Sequence, residues 1–410
     1  VRSSEHASSR TASTALTRRR ILASARALIG SRGAAQVSLE DVAAESEITR
    51  PGLLGHFRSM NALMTAVEAE FCVETGLRMS AGIRSWASLL EIPDYRSISV
   101  QFLNLALMNG SPSSSPSAAC HHRQLLESTE SLLIQHSRST SLTPQGLVAA
   151  WEGLLVLQAY FPSLDPARIL RARLDPARAQ PSAPSSRTAP APPESLIPAE
   201  FGYARGRSRR RQIVEDATML FARNGYHGTT IRQLASEVGI SASTLLHHFG
   251  HKAGLLAEVL RHRDEQLVHR RGQRDMDART ELAELGNEAR RDLNVERGLV
   301  DMYAVLSTEA IHPDHPAHAY FTDRFSRTID YFEGLIANSD SGSSDPRLDA
   351  VWLVALWDGL QYQLILSPDD MDLPAQLDHH IQTSLGITPA ATSAIPDEAH
   401  APDERTSSKV

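Results

Sequence analysis

Between residues 213 and 260 the apolar positions recur with the period of a helix. Ile213, Ala217, Leu220 and Phe221 stand at i, i+4, i+7 and i+8, which puts them on one face, and Gly225 behind them can close the helix in a left-handed cap. Thr230 stands three residues before Gln233, the spacing of a capping box, ahead of a short helix carrying Ile231, Leu234 and Ala235. Gly239 then supplies the positive φ of a tight turn, Ser241 caps a third helix through His248, and "HKAGLLAEVL" begins a fourth. Two short helices joined by a glycine turn form a helix-turn-helix.

The same pattern occurs earlier in the chain. Arg18, Arg19, Ile21, Ala25, Leu28, Gly33, Ala43, Glu45, Ile48, Leu53, Leu54, His56, Phe57, Leu63 and Val67 all recur as identical residues 192 positions later, without a gap. Beyond these the match weakens and the offset grows, until "WEGL" at 151–154 aligns with "WDGL" at 357–360, 206 positions on. In the first copy Ser38 and Asp41 form the capping pair and Thr49 opens the third helix. Pro51 is tolerated there because first-turn amides have no intrahelical partner. Glu47 occupies the place of the turn glycine, where left-handed geometry costs a bulky residue on the order of 1 kcal/mol.

The chain therefore reads as all-α and tandem. The expected division is a disordered arm over 1–15, a helix-turn-helix domain over 16–64 and a helical regulatory domain over 65–176. A Pro/Ala/Ser-rich linker over 177–205, a second helix-turn-helix domain over 206–256, a second regulatory domain over 257–386 and a disordered tail over 387–410 follow. At 410 residues each unit can bury a core of its own. No run of eighteen apolar residues and no basic-then-apolar leader is visible, so a cytoplasmic protein without membrane contact is expected. Cys72 and Cys120 are too few for a disulfide framework.

A net charge of −7 argues against a uniform nucleic-acid coat, but it hides local basic clusters. Arg18, Arg19 and Arg20 precede one helix-turn-helix, and Arg209, Arg210 and Arg211 precede the other. A short helix fits the major groove with its N-terminal side chains toward base edges, and the small residues Ala242, Ser243 and Thr244 allow close approach. Arg50 sits early in the first copy's reading helix, where a guanidinium can grip guanine edges or a phosphate.

The stretch "FARNGYHGTTIRQLASEVGISASTLLHHFGHKAGLLAEVL" resembles the DNA-binding domain of TetR-type transcriptional regulators, and the first copy resembles it recognisably. Two TetR-like units in tandem are implied. The resemblance implies phosphate contacts from Thr229 or Thr230, His248 and Lys252, and base or backbone contacts from Ser241 through Thr244 and from His247. In the first copy it implies contacts from Thr49, Arg50, Gly52 and His56, with Ser38 at the start of the preceding helix. Both copies depart from the family pattern: Leu54 and Leu246 stand where a tyrosine is usual, and Met60 where a lysine is usual. The resemblance further implies a double-stranded, quasi-palindromic operator, a small-molecule effector and pairing of the two repeats as an intramolecular pseudo-dimer. Trp151, Leu154, Trp357 and Leu360 are the expected packing residues between them.

His312, His315 and His318 are spaced within a Pro-interrupted corner and are expected to be structural, with no metal and no cofactor. His379 and His380 are expected at the surface. Glycine-rich phosphate loops and nucleophile elbows are missing from the sequence, so an enzyme is not expected. The alternative function is a sensor or partner-binding protein in which one or both readers have lost DNA recognition.

Overall fold

The computed structural model describes residues 2–79, 89–90, 94–109, 125–129, 142–174, 204–226, 228–271, 276–295, 297–369 and 371–388. No strand occurs among them. The first unit comprises α1 (Arg2–Arg32), α2 (Leu39–Glu45), α3 (Arg50–His56), α4 (Met60–Met79), α5 (Tyr95–Asn109), α6 (Pro144–Tyr160) and α7 (Pro166–Leu174). The second comprises α8 (Ala204–Asn224), α9 (Ile231–Val238), α10 (Ala242–Phe249), α11 (Lys252–Arg271), α12 (Ala278–Ala283), α13 (Leu285–Val295), α14 (Arg297–Glu309), α15 (His318–Ala337), α16 (Pro346–Leu366) and α17 (Leu373–Leu385). The bounds of α4 and α11 differ by the 192-residue offset of the repeat, and the last residues of α6 and α16 by 206.

Helix α1 begins at Arg2, so it runs through residues 2–15, where composition predicts an arm without structure. The physical reason is continuity: no Pro or Gly interrupts the chain before Gly30, and an established helix extends more easily than a new one nucleates. Of the expected linker at 177–205, residues 177–203 lie outside the described residues and 204–205 belong to α8, and of the expected tail at 387–410 the part from 389 lies outside them too.

Sequence-level capping carries over into the local geometry. Ser38 with Asp41 and Thr230 with Gln233 both form reciprocal capping boxes, and Ser241 and Thr49 each accept a backbone N–H of the helix they open. Ile21, Ala25 and Ile29 on α1, and Ile213, Ala217 and Phe221 on α8, are completely buried. Buried apolar residues of both repeats form one continuous cluster.

Helices α6 and α16 bridge the repeats. From Gly146 to Gln158, α6 is buried on every side, the mark of a helix enclosed by others. A Cβ on Gly153 would land on the Ala355 carbonyl, and a Cβ on Gly359 would land on the Ala149 carbonyl. Ala149 and Ala355 are themselves equivalent under the 206-residue offset, as are Gly153 and Gly359. The two contacts are thus one contact and its two-fold mate, the reciprocity of an isologous interface.

Around this crossing the Thr143 hydroxyl donates to Gln376 Oε1 at 2.5 Å, and Arg173 of α7 pairs with Asp349 at the start of α16. Farther out, Asn104 Nδ2 of α5 donates to the Val305 carbonyl at 3.1 Å and to Thr308 Oγ1 at 2.9 Å on α14. Leu154 and Leu360 are fully buried. The Trp151 indole N–H donates to Tyr95 Oη at 3.3 Å, and the Trp357 ring lies 6.5 Å from that of Phe332, each a partner from its own repeat.

The expectation that both terminal histidines lie at the surface fails for His380, which is only 3% exposed. Leu377 and Ile381 beside it are buried too, so α17 turns this side inward. Burial pulls the His380 imidazolium down to a pKa of about 3, helped by the nearby Arg173 charge.

Candidate nucleic-acid interface

Each reader is a short helix held at its start by a side-chain cap. In the second unit Gly239 takes φ 68°, and Ser241 N-caps α10 through the amide of Thr244. Leu245 and Phe249 anchor the inner face of α10. The outer face presents Ser243, Thr244, Leu246 and His247, with Ala242 and His248 half-buried. This is a small-residue, hydroxyl-bearing surface with two imidazoles, suited to hydrogen bonds with phosphates or base edges.

In the first unit Glu47 occupies the turn with φ 52°, in the left-handed region. Thr49, Arg50, Gly52 and Leu54 are exposed on α3, and His56 is half-buried. The Arg50 guanidinium pairs with Glu40 of α2 at 2.9 Å, both side chains well exposed. Such a pair is worth roughly 0–1 kcal/mol, so a phosphate can displace it.

The arginines divide into two classes. Arg18 lies 4.2 Å from the centroid of the Phe57 ring and donates to the His56 carbonyl at 3.3 Å. Its equivalent, Arg210, lies 5.0 Å over Phe249 and donates to Glu258 at 3.2 Å. These two pin the first helix of each reader to the end of its reading helix, a role that charge composition alone does not show. Arg19 and Arg20 are exposed, Arg209 donates to the Val238 carbonyl at 3.1 Å, and Arg211 pairs with Glu215 at 3.0 Å.

Two other candidates face the protein. Thr229 is 1% exposed and its hydroxyl donates to the Gly225 carbonyl at 2.7 Å, so of the two threonines Thr230 is the one at the surface. Lys252 Nζ lies 4.0 Å over the Tyr226 ring. Burial lowers the Lys252 pKa, and the charge of Glu309 opposes that shift.

The Lys252 contact belongs to an arrangement that sequence reasoning missed. The Tyr226 amide donates to Glu309 Oε2 at 2.6 Å, and the equivalent Ala34 amide donates to Gln101 Oε1 at 3.1 Å. Each amide follows a positive-φ glycine, Gly225 or Gly33, and each acceptor sits on the helix, α14 or α5, that also contacts the other repeat. The Gln101 amide group then donates to His312 Nε2 of the other repeat at 2.9 Å. Every one of these partners is far apart in the chain, so no local pattern announces them.

The three corner histidines go separate ways. His315 lies edge-on to Tyr226 at 5.0 Å, and His318 Nδ1 lies 2.8 Å from the Ala310 carbonyl. Among the described residues no three His, Cys, Asp or Glu side chains converge as a metal site. No helix among the described residues is long and apolar enough to cross a membrane.

Comparison with known proteins finds the same duplication. Residues 21–67 and 213–259 each match the profile of "Bacterial regulatory proteins, tetR family". The HTH-type transcriptional repressor Rv1474c of Mycobacterium tuberculosis is 30% identical over 166 residues, which is 35% of this chain and 89% of that protein. The regulator ArpR of Pseudomonas putida is 29% identical over 195 residues, 43% of this chain and 90% of its own length. The repressor AcnR of Corynebacterium diphtheriae is 42% identical over 53 residues, 13% of this chain and 28% of that protein. Nearly the whole of Rv1474c and of ArpR, though not of AcnR, is thus matched by less than half of this chain.

Proposed function

Because the chain belongs to the tetR family of bacterial regulatory proteins, we propose that it is a ligand-responsive transcriptional repressor with both halves of a dimer in one polypeptide. The units are taken as residues 16–176 and 206–386, joined by the 177–205 linker. The single observation that carries this reading is the reciprocal crossing, Gly153 on Ala355 and Ala149 on Gly359. A two-fold relation between repeats relates their reading helices by the same operation, which is the symmetry of a quasi-palindromic operator. Thr230, Ser241, Ser243, Thr244 and His247 are the proposed DNA contacts of the second unit, and Thr49, Arg50 and Gly52 those of the first.

The amide clamps at Ala34 and Tyr226 suggest how an effector acts. A shift of α5 or α14 carries Gln101 or Glu309 with it, and with them the C-terminal end of the first helix of each reader. An effector that binds one arrangement better than the other changes the population of DNA-competent readers. The role is regulatory and not catalytic, and it is exercised in the cytoplasm.

The test is a nuclease footprint on the DNA flanking the protein's own gene, with the mass of the complex giving stoichiometry. One chain protecting two unlike half-sites about ten base pairs apart is expected. Two chains per site would overturn the pseudo-dimer. Absence of a footprint at every salt concentration would favour a sensor without DNA recognition, a reading to which the Arg50–Glu40 pair and the strained Glu47 lend some support.

A further inference from the structure

The link from Ala34 through Gln101 to His312 ties the first reader to the second unit, and its hydrogen bonds fix where each proton lies. The Ala34 N–H donates to Gln101 Oε1 at 3.1 Å, so the other end of that side-chain amide, Nε2, is the end that faces His312 Nε2 at 2.9 Å. An amide nitrogen has only protons to offer. His312 Nε2 must therefore accept, which requires a neutral ring with its proton on Nδ1. A Cβ on Gly33 would come within 3.0 Å of that ring nitrogen, so the imidazole lies directly against the turn that ends α1.

An imidazolium does not fit this arrangement. It carries a proton on both nitrogens, and its Nε2–H would point at the Gln101 NH2 group. Turning the Gln101 amide over satisfies His312 but sets the NH2 group against the Ala34 N–H. Either way one of the two bonds is lost, and Gln101 is only 5% exposed, so water does not readily replace it. Burial and the charge of His318 lower the His312 pKa, and Asp314 opposes them. Its neighbours from α5 and from the end of α1, Gln101 and the Gly33–Ala34 backbone, carry no charge. Around the corner Glu309 of α14 accepts from the Tyr226 amide and His315 lies edge-on to Tyr226. Tyr160 of α6, stacked on His318 at 5.3 Å, is kept a neutral phenol by burial. The clamp of the second reader has no such conflict, because an ionised carboxylate accepts at either oxygen.

We propose that His312 is a positioning residue through which a proton taken up by the second unit loosens the first of the two readers. With a neutral ring, Gln101 is held in the one orientation that clamps the Ala34 amide, and the end of α1 stays tied to α5. With a charged ring that clamp opens. It is closed at neutral pH and opens as pH falls through a value below the ordinary imidazole pKa of 6.5. The consequence for DNA rests on the regulatory reading above, whereas the proton-controlled contact does not.

The experiment follows the Ala34 amide by nuclear magnetic resonance in the full chain, without DNA, from pH 8 to pH 5. Gly33–Ala34 is the only Gly-Ala step in the sequence, so carbonyl-13C glycine with 15N alanine isolates this one resonance. A single step is expected, with its midpoint below pH 6.5. Beyond it protection from solvent exchange, corrected for the intrinsic rate, should fall about fivefold. His312→Gln offers an acceptor oxygen that does not titrate, so it should keep the protection and abolish the step. Gln101→Leu should lose the protection at every pH. An Ala34 amide unchanged over this range, or the same step in His312→Gln, would overturn the proposal, and the unaltered chain decides even if a variant fails to fold. On the footprinted fragment the unaltered chain should bind as tightly as His312→Gln at pH 7.5 and about fivefold more weakly at pH 5.5. A ratio equal at both would overturn the link to the reader. Because the amide titration uses no DNA, its failure is separate from that of the regulator reading, which the footprint decides.

Discussion

Replacing Gly359 with alanine should push α6 and α16 apart, and the size of the effect follows from their contact. The added Cβ would overlap the Ala149 carbonyl, and restoring van der Waals spacing requires a local separation of about 1.5 Å. Overpacking of this kind costs roughly 1–3 kcal/mol, against which alanine returns about 1 kcal/mol of helix propensity. A net loss of up to about 2 kcal/mol is expected from urea unfolding followed by circular dichroism. Gly153→Ala should cost about the same, because it makes the two-fold mate of that contact. The double variant is the sharper test. One separation relieves both overlaps, so its cost should approach that of a single change and fall well short of the sum. Gly55→Ala on α3, where a Cβ would meet nothing within 4 Å, is the control and should be neutral or stabilising. If Gly359→Ala behaves like Gly55→Ala, the helices do not approach as closely as described and the reciprocal-crossing argument falls.

Two further expectations concern strain and acid. Glu47→Gly should stabilise the chain by several tenths to about 1 kcal/mol, because it removes a side chain from φ 52° at the cost of a looser unfolded chain; an unchanged or lower melting temperature would contradict it. His380 is neutral in the folded state down to about pH 3, whereas in the unfolded chain it gains a proton near pH 6.5, so stability falls as pH drops through that interval. At pH 5 this group alone should contribute about 2 kcal/mol of lost stability, and His380→Leu should flatten the pH dependence of the melting temperature between pH 7 and pH 5. A parallel pH profile in the variant would show that His380 is not the group responsible.

The local devices were legible because their chemistry is local. Ser38 with Asp41, Thr230 with Gln233 and the caps at Thr49 and Ser241 are separated by a few residues, so spacing alone identifies them. The tandem plan was legible because a fixed offset survives in the sequence. The crossing was hidden: Gly153 and Gly359 look like weak points in a helix until the facing backbone is known. The arginines were half legible, since charge predicts a basic surface but cannot say that Arg18 and Arg210 lie over Phe57 and Phe249. Burial of His380 depends on contacts between distant segments, and side-chain type carries no signal for it.

At the two ends of the crossing the chain uses different chemistry: Arg173 with Asp349 on one side, Thr143 with Gln376 on the other. Two identical subunits could not do this, because every residue of a self-complementary surface is present twice and each change is felt at both ends. Here the two faces are encoded by separate codons. A substitution alters one flank at a time, and its partner can adjust without a matching change on the opposite side. In the proposed single-chain dimer each flank can therefore change independently, as in a heterodimer, while the two halves are made in equal number.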